Sequence, residues 1–117
     1  NVGLYDVVEE GCRENISEYS DGVQPWINMG KVYMHEGEYY KAEAAFKRAM
    51  KGAAIRPREK LEAMAWTHNY LGNCYDLLGH RSLAVVEYQK VVEMGNNYRG
   101  AVDYAQKYLN KPFDKEK

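Results

Sequence analysis

The stretch WINMGKVYMHEGEYYKAEAAFKRA, residues 26–49, is matched in register by HNYLGNCYDLLGHRSLAVVEYQKV, residues 68–91. Counted from Gly30, the first copy carries Tyr33, Gly37, Ala42 and Phe46 at three, seven, twelve and sixteen residues. Counted from Gly72, the second carries Tyr75, Gly79, Ala84 and Tyr88 at the same offsets. A repeated order of small and large residues at helical spacing predicts stacked helix pairs, an architecture that binds other chains rather than catalysing reactions.

The residue types explain the pattern. Two helices joined by a tight turn lie antiparallel and side by side. Close approach needs small residues at the crossing: Gly30 on one helix, Ala42 and Ala49 on the other. Large residues, Trp26, Tyr33 and Phe46, fill the gaps beside them, ridge into groove, each contributing about 1.5–3 kcal/mol when buried. Glycine inside a helix costs about 1 kcal/mol against alanine, which makes sense only where a neighbouring helix needs the space. The same holds for Gly72, Ala84 and Tyr88.

Working outward, Pro25, Pro57 and Pro112 each fall where a helix begins or has ended. Six helices follow: about 4–19, 25–35, 39–54, 57–78, 81–93 and 98–109, with no alternating strand. The first shows one apolar stripe at Tyr5, Val8, Cys12, Ile16 and Tyr19. In the last, Val102, Ala105, Tyr108 and Leu109 face inward and Asp103, Gln106 and Lys107 outward. Residues 113–117 read as a frayed polar tail.

Bulk properties exclude several classes. The 117 residues suffice for one domain, and 45% hydrophobic content fits a folded chain. A net charge of −1 gives no basic footprint for nucleic acid. Apolar runs are too short to span a membrane. Cys12 and Cys74 make no disulfide framework and read as reduced, half-buried thiols. The start, Asn1-Val2-Gly3-Leu4, shows no leader peptide and no initiator Met, so a cytoplasmic chain, processed or cut from a longer protein, is expected. Asn15-Ile16-Ser17 matches a glycosylation acceptor, but inside an expected helix it reads as chance.

The two copies resemble the tetratricopeptide repeat family. Its signature of Trp, Leu-Gly, Tyr, Ala, Phe and Ala is supplied by Trp26, Gly30, Tyr33, Ala42, Phe46 and Ala49, and again by Leu71, Gly72, Tyr75, Ala84 and Tyr88. Departures are Met29 for Leu, His68 for Trp, Val91 for the last Ala, and a closing Pro displaced to Pro57 and then replaced by Asn96. The copies lie 42 residues apart, against about 34 in the family, and the surplus at 51–60 predicts about one extra turn on each flanking helix. Tyr75-Asp76-Leu77-Leu78-Gly79-His80-Arg81, the closing helix and Lys111-Pro112-Phe113 look like the ends of bacterial repeat proteins.

The resemblance implies an all-α, right-handed superhelix of antiparallel helix pairs. It would run as one domain over 1–117: a leading helix at 1–22, repeats at 23–56 and 57–97, a capping helix at 98–110 and a tail at 111–117. It also implies a protein-binding scaffold with no enzyme activity and no cofactor, metal, nucleic acid or membrane partner.

In this family the first helix of each repeat lines the concave face, which carries over to Gln24, Ile27, Asn28, Lys31, Met34 and His35, and to Trp66, Asn69, Tyr70, Asn73, Asp76 and Leu77. From these, Asn28, Lys31, His35, Trp66, Asn69, Tyr70, Asn73 and Asp76 are the expected partner-binding set, with amides for a peptide backbone and aromatics for contact area. Trp66 and Tyr70 equally fit packing against the last helix or a neighbouring repeat. The family's carboxylate clamp for chaperone tails is not assembled: Ile27, Gly100 and Tyr104 stand where its Lys, Lys and Arg belong, and Arg99 substitutes only if the last helix is offset.

No catalytic motif is present, and His68, Cys74 and His80 lack the spacing of zinc ligands. Two further readings stand beside peptide binding: a self-association module (a homodimer, or part of a longer repeat array) and the non-catalytic regulatory part of a larger protein.

Overall fold

Two left-handed glycines close the first helix of each copy in the same way. Gly37 has φ of 82° and Gly79 of 83°, a backbone region that costs glycine nothing and other residues strain. Around Gly37, the Glu38 N–H bonds the Tyr33 carbonyl (2.9 Å) and the Gly37 N–H bonds the Met34 carbonyl (3.1 Å). Around Gly79, His80 bonds Tyr75 (2.7 Å) and Gly79 bonds Asp76 (3.1 Å). These paired bonds satisfy the last helical carbonyls and turn the chain back on itself.

The computed structural model describes residues 23–114. They form α1 (Val23–Glu36), α2 (Tyr39–Ala53), α3 (Leu61–Leu77), α4 (Arg81–Met94) and α5 (Ala101–Asn110), with 3-10 turns at Pro57–Glu59 and Tyr98–Gly100. No strand occurs among the described residues. The helix expected at 4–19 lies outside them. The other five are found within a few residues of their expected limits.

The chain divides into two compact units, residues 1–60 and 61–117. In the first, α1 packs on α2. In the second, α3 packs on α4, and α5 packs on both. The small-to-large logic is realised in each. Gly30 faces the Phe46 ring and Gly72 the Tyr88 ring so closely that a Cβ on either would lie inside the ring's contact radius, 2.7 Å from Phe46 Cδ1 and 2.6 Å from Tyr88 Cζ. Ala42, Phe46 and Ala49 are fully buried, as are Ala84, Tyr88 and Val91.

The surplus residues depart from expectation. Both second helices end at equivalent places, so α2 gains no extra turn. α3 begins eleven residues before its glycine and α1 seven before its own, so α3 alone is longer, by about one turn. The rest forms the connector 54–60. Arg56, at φ −136° and ψ 67°, leaves the helical region because a residue preceding proline clashes there. Pro57 then starts a 3-10 turn rather than α3.

Candidate functional site

On α1, Asn28, Lys31 and His35 are spaced three and four apart, which puts them on one helical face. All three are exposed, as is Gln24, whose Nε2 donates to Asn28 Oδ1 at 2.9 Å. Met34 is half-buried and Ile27 buried. The site residues expected on the first unit therefore share an exposed polar strip.

The residues expected on α3 are brought together against α5. Trp66 Nε1–H donates to the Tyr98 carbonyl (2.9 Å). Asn69, with no exposed surface, donates from Nδ2 to the Ala101 carbonyl (3.1 Å). Asn73 Nδ2 donates to the Tyr104 hydroxyl (2.7 Å). These amides thus hold main-chain and hydroxyl acceptors on a docked helix of their own chain. Asn69 Oδ1 is buried without a hydrogen-bond partner. Tyr70 sits beside Trp66 with ring centroids 5.8 Å apart. The rings of Trp66, Tyr104, Tyr108 and Phe113 then follow in sequence at 5.0, 4.8 and 5.2 Å.

Asp76 is the hub of this arrangement, its side chain 1% exposed. Arg81 Nη1 reaches both its oxygens at 3.1 Å, and the Phe113 N–H donates to Oδ2 at 2.9 Å. The Tyr88 hydroxyl lies 3.0 Å from Asp76 Oδ2 and 2.9 Å from Asn73 Oδ1; with one hydrogen it serves one acceptor at a time. Arg81 Nη2 donates to the Leu109 carbonyl (3.0 Å), satisfying an orphan acceptor at the C-terminal end of α5. The opposite end is held by Asn97 Oδ1, which accepts the N–H groups of Val102 (2.8 Å) and Asp103 (3.2 Å). One carboxylate and one guanidinium thus tie together the end of α3, the start of α4, the end of α5 and the tail.

Phe113 was expected in a frayed tail; its backbone bond to Asp76 and its ring against Tyr108, 5.2 Å between centroids, hold it in place.

The environment shifts three groups. Burial, with the neighbouring Asp76 charge, pushes the Tyr88 phenol far up. Burial also pushes Tyr104 up to about 12, against the opposing Asn73 hydrogen bond. Burial would raise Glu87, but its hydrogen bond and charge interaction with His68 and its Lys90 partner outweigh that and hold it below the usual carboxylate value. His68 Nδ1 lies 2.7 Å from Glu87 Oε1. At the position where the repeat pattern has Trp, this chain therefore has a polar pair between α3 and α4, with Glu87 buried and His68 half-buried.

The other residues weighed as ligands lie apart: Cys74 is a buried free thiol and His80 is exposed. Among the described residues no three metal-ligating side chains cluster, and no helix is long and apolar enough to cross a membrane. Arg99, weighed as a clamp residue, pairs with Glu62 at 2.7 Å.

Sequence reasoning missed Arg81, Tyr88 and Phe113 as partners of Asp76. The available signal was the order Asp76, Gly79, Arg81, which places a carboxylate and a guanidinium on either side of one tight turn.

The family model for the tetratricopeptide repeat matches residues 23–97. No curated protein and no solved structure gives a significant match.

Proposed function

Because the chain belongs to the tetratricopeptide repeat family, a non-catalytic repeat scaffold whose members are protein–protein interaction modules, we propose that it binds a peptide or helix of a partner protein through the first helices of its repeats. The α1 strip of Gln24, Asn28, Lys31 and His35 is the entry surface. Asn28 offers amide hydrogen bonds to an extended main chain, and Lys31 and His35 favour an acidic side chain on the ligand.

The observation that carries this reading is the chemistry of α3. There a repeat's first helix already holds a neighbouring element, Asn69 donating to the Ala101 carbonyl of α5 and Trp66 to the Tyr98 carbonyl of the 3-10 turn before it. In unit two that capacity is taken by α5. On unit one the positions equivalent to Trp66 and Asn73, Gln24 and Lys31, are polar and exposed, while Ile27 at the place of Asn69 is buried.

The test is selection of peptides from a random display library on the full chain, followed by calorimetry on wild type, Asn28→Ala/Lys31→Ala and Asn69→Ala/Asn73→Ala. The α1 double variant is expected to weaken binding by about tenfold or more, the loss of one charge-assisted and one neutral hydrogen bond. Selected peptides that bind the α1 variant as tightly as wild type would refute the assignment.

Self-association is a second reading, favoured by one feature: Leu83 and Val86, three apart on α4, are 48% and 45% exposed. Light scattering on wild type and Leu83→Glu/Val86→Glu separates the two. A dimer that the double variant dissolves supports self-association, and a concentration-independent monomer removes it.

A further inference from the structure

Two helical stripes face each other across a groove in the first unit. On α2, Lys41, Ala44, Ala45 and Arg48 follow one another at helical spacing along one side. On α1, Trp26, Met29 and Tyr33 form the opposite wall, and the groove has a volume of about 340 Å³. Its floor is apolar, with Met29 and Tyr33 buried and Trp26 half-buried. The two alanines leave the space between the cations open. Small-ligand pockets begin at about 300 Å³, so this one takes one or two apolar side chains rather than a larger body.

The rim is cationic. Lys41 Nζ stands 5.7 Å from the Tyr33 ring centre and the Arg48 guanidinium 5.6 Å from that of Trp26. Both side chains are exposed. Lys47, on the neighbouring row, is paired with Glu43 at 2.7 Å. Neither Lys41 nor Arg48 has a carboxylate partner among the described residues. Trp26 Nε1–H is buried with no hydrogen-bond partner. That is a costly state for a donor, so the indole gains by turning toward an acceptor that an occupant brings.

Spacing fixes the form of the occupant. Seven residues separate Lys41 from Arg48, about 10.5 Å along the helix axis. A ligand helix lying along α2 meets both cations with carboxylates at i and i+7. Its positions i+3 and i+4 then face Ala44 and Ala45. An extended ligand covers the same distance in about three residues, and strand alternation puts carboxylates so spaced on opposite faces.

We propose that this groove docks an acidic amphipathic helix of a partner protein. Apolar side chains at i+3 and i+4 seat between α1 and α2, and carboxylates at i and i+7 pair with Lys41 and Arg48. Trp26, Met29 and Tyr33 lie on the side of α1 opposite Asn28, Lys31 and His35. The groove is therefore a second surface, and its assignment stands or falls independently of the α1 strip.

The probe is a synthetic helix-forming peptide with Glu at i and i+7 and Leu at i+3 and i+4, beside a version with Lys in place of both Glu. Each is titrated into the isotope-labelled full chain, as wild type and as Lys41→Glu/Arg48→Glu. Nuclear magnetic resonance follows the two tryptophan indole N–H signals, assigned with Trp26→Phe. Trp66, held by its bond to the Tyr98 carbonyl, is the internal control.

In wild type the Glu peptide should shift the Trp26 signal saturably and bind about tenfold or more tightly than the Lys peptide, while Trp66 stays in place. The charge-reversed variant should exchange this preference and take the Lys peptide, a gain that misfolding does not produce. Absence of a saturable Trp26 shift overturns the proposal, since the peptide then binds elsewhere or the groove is already filled by another part of the chain or a second copy. A peptide preference that the reversal does not exchange overturns it too.

Discussion

Replacing Gly72 by alanine should destabilise the second unit far more than replacing Gly30 destabilises the first, although the two glycines occupy equivalent places. At Gly72 the new Cβ would lie 2.6 Å from Tyr88 Cζ and 2.8 Å from Cδ1, where carbon atoms prefer about 3.5–4.0 Å. The ring must move by about 1 Å, and such overpacking costs about 1–3 kcal/mol. Tyr88 has no exposed surface, and its hydroxyl is fixed by Asp76 and Asn73. Moving the ring strains that bond, worth about 1.5–3 kcal/mol to a charged acceptor. The helix gains about 1 kcal/mol from losing a glycine. The net expectation is a loss of about 2–4 kcal/mol for Gly72→Ala.

Phe46 meets Gly30 with the same closeness but has no hydroxyl, so Gly30→Ala should cost only about 0–2 kcal/mol. In a Tyr88→Phe background the cost of Gly72→Ala should fall toward the Gly30 value, a coupling that a double-mutant cycle reads directly. The chain has two tryptophans, Trp26 in the first unit and Trp66 in the second. Urea titrations followed by fluorescence in Trp26→Phe and Trp66→Phe backgrounds therefore report each unit separately. A Gly72→Ala protein within about 0.5 kcal/mol of its parent would refute the close-approach reasoning.

Two further outcomes follow from the polar interior of unit two. Arg81→Gln leaves the buried Asp76 carboxylate without its guanidinium and the Leu109 carbonyl without its donor. Reduced by the partial exposure of Arg81, the loss should be about 2–3 kcal/mol, and hydrogen exchange should show α5 opening before α3 and α4. Glu87 is held below its usual pKa by His68 and Lys90 despite burial. Its contribution is therefore complete above the unfolded value of 4.5 and is lost as pH falls through the lower folded value. The urea midpoint read by Trp66 should drop as pH falls below 4.5, and Glu87→Gln should flatten that drop; an unchanged slope in the variant would show that other carboxylates carry it.

Much of the fold was legible because its determinants are local. Gly37 and Gly79 mark turns whose positive φ suits glycine above other residues, and the helical stripes between them fix helix identity and pairing. The helix expected from Pro57 was misplaced for an equally local reason, the restriction that proline sets on Arg56. The anchoring of Phe113 was not legible: its bond to Asp76 joins residues far apart in sequence through a backbone N–H, which carries no side-chain signature.

The sequence by itself determined that helices pair, because glycine and alanine opposite large rings at repeated offsets leave a helix one way to bury its apolar stripe. It also determined which polar residues share a face, since helical period alone aligns Asn28 with Lys31 and His35, and Asn69 with Asn73 and Asp76. What covers each face was decided only by tertiary structure. The path from Gly95 through Arg99 and Gly100, all at positive φ, brings α5 back onto α3, where Asn69 and Asn73 meet Ala101 and Tyr104 rather than solvent. Helical periodicity sets which residues point together, but the neighbour they meet depends on the whole chain's course through connections whose side chains do not encode direction.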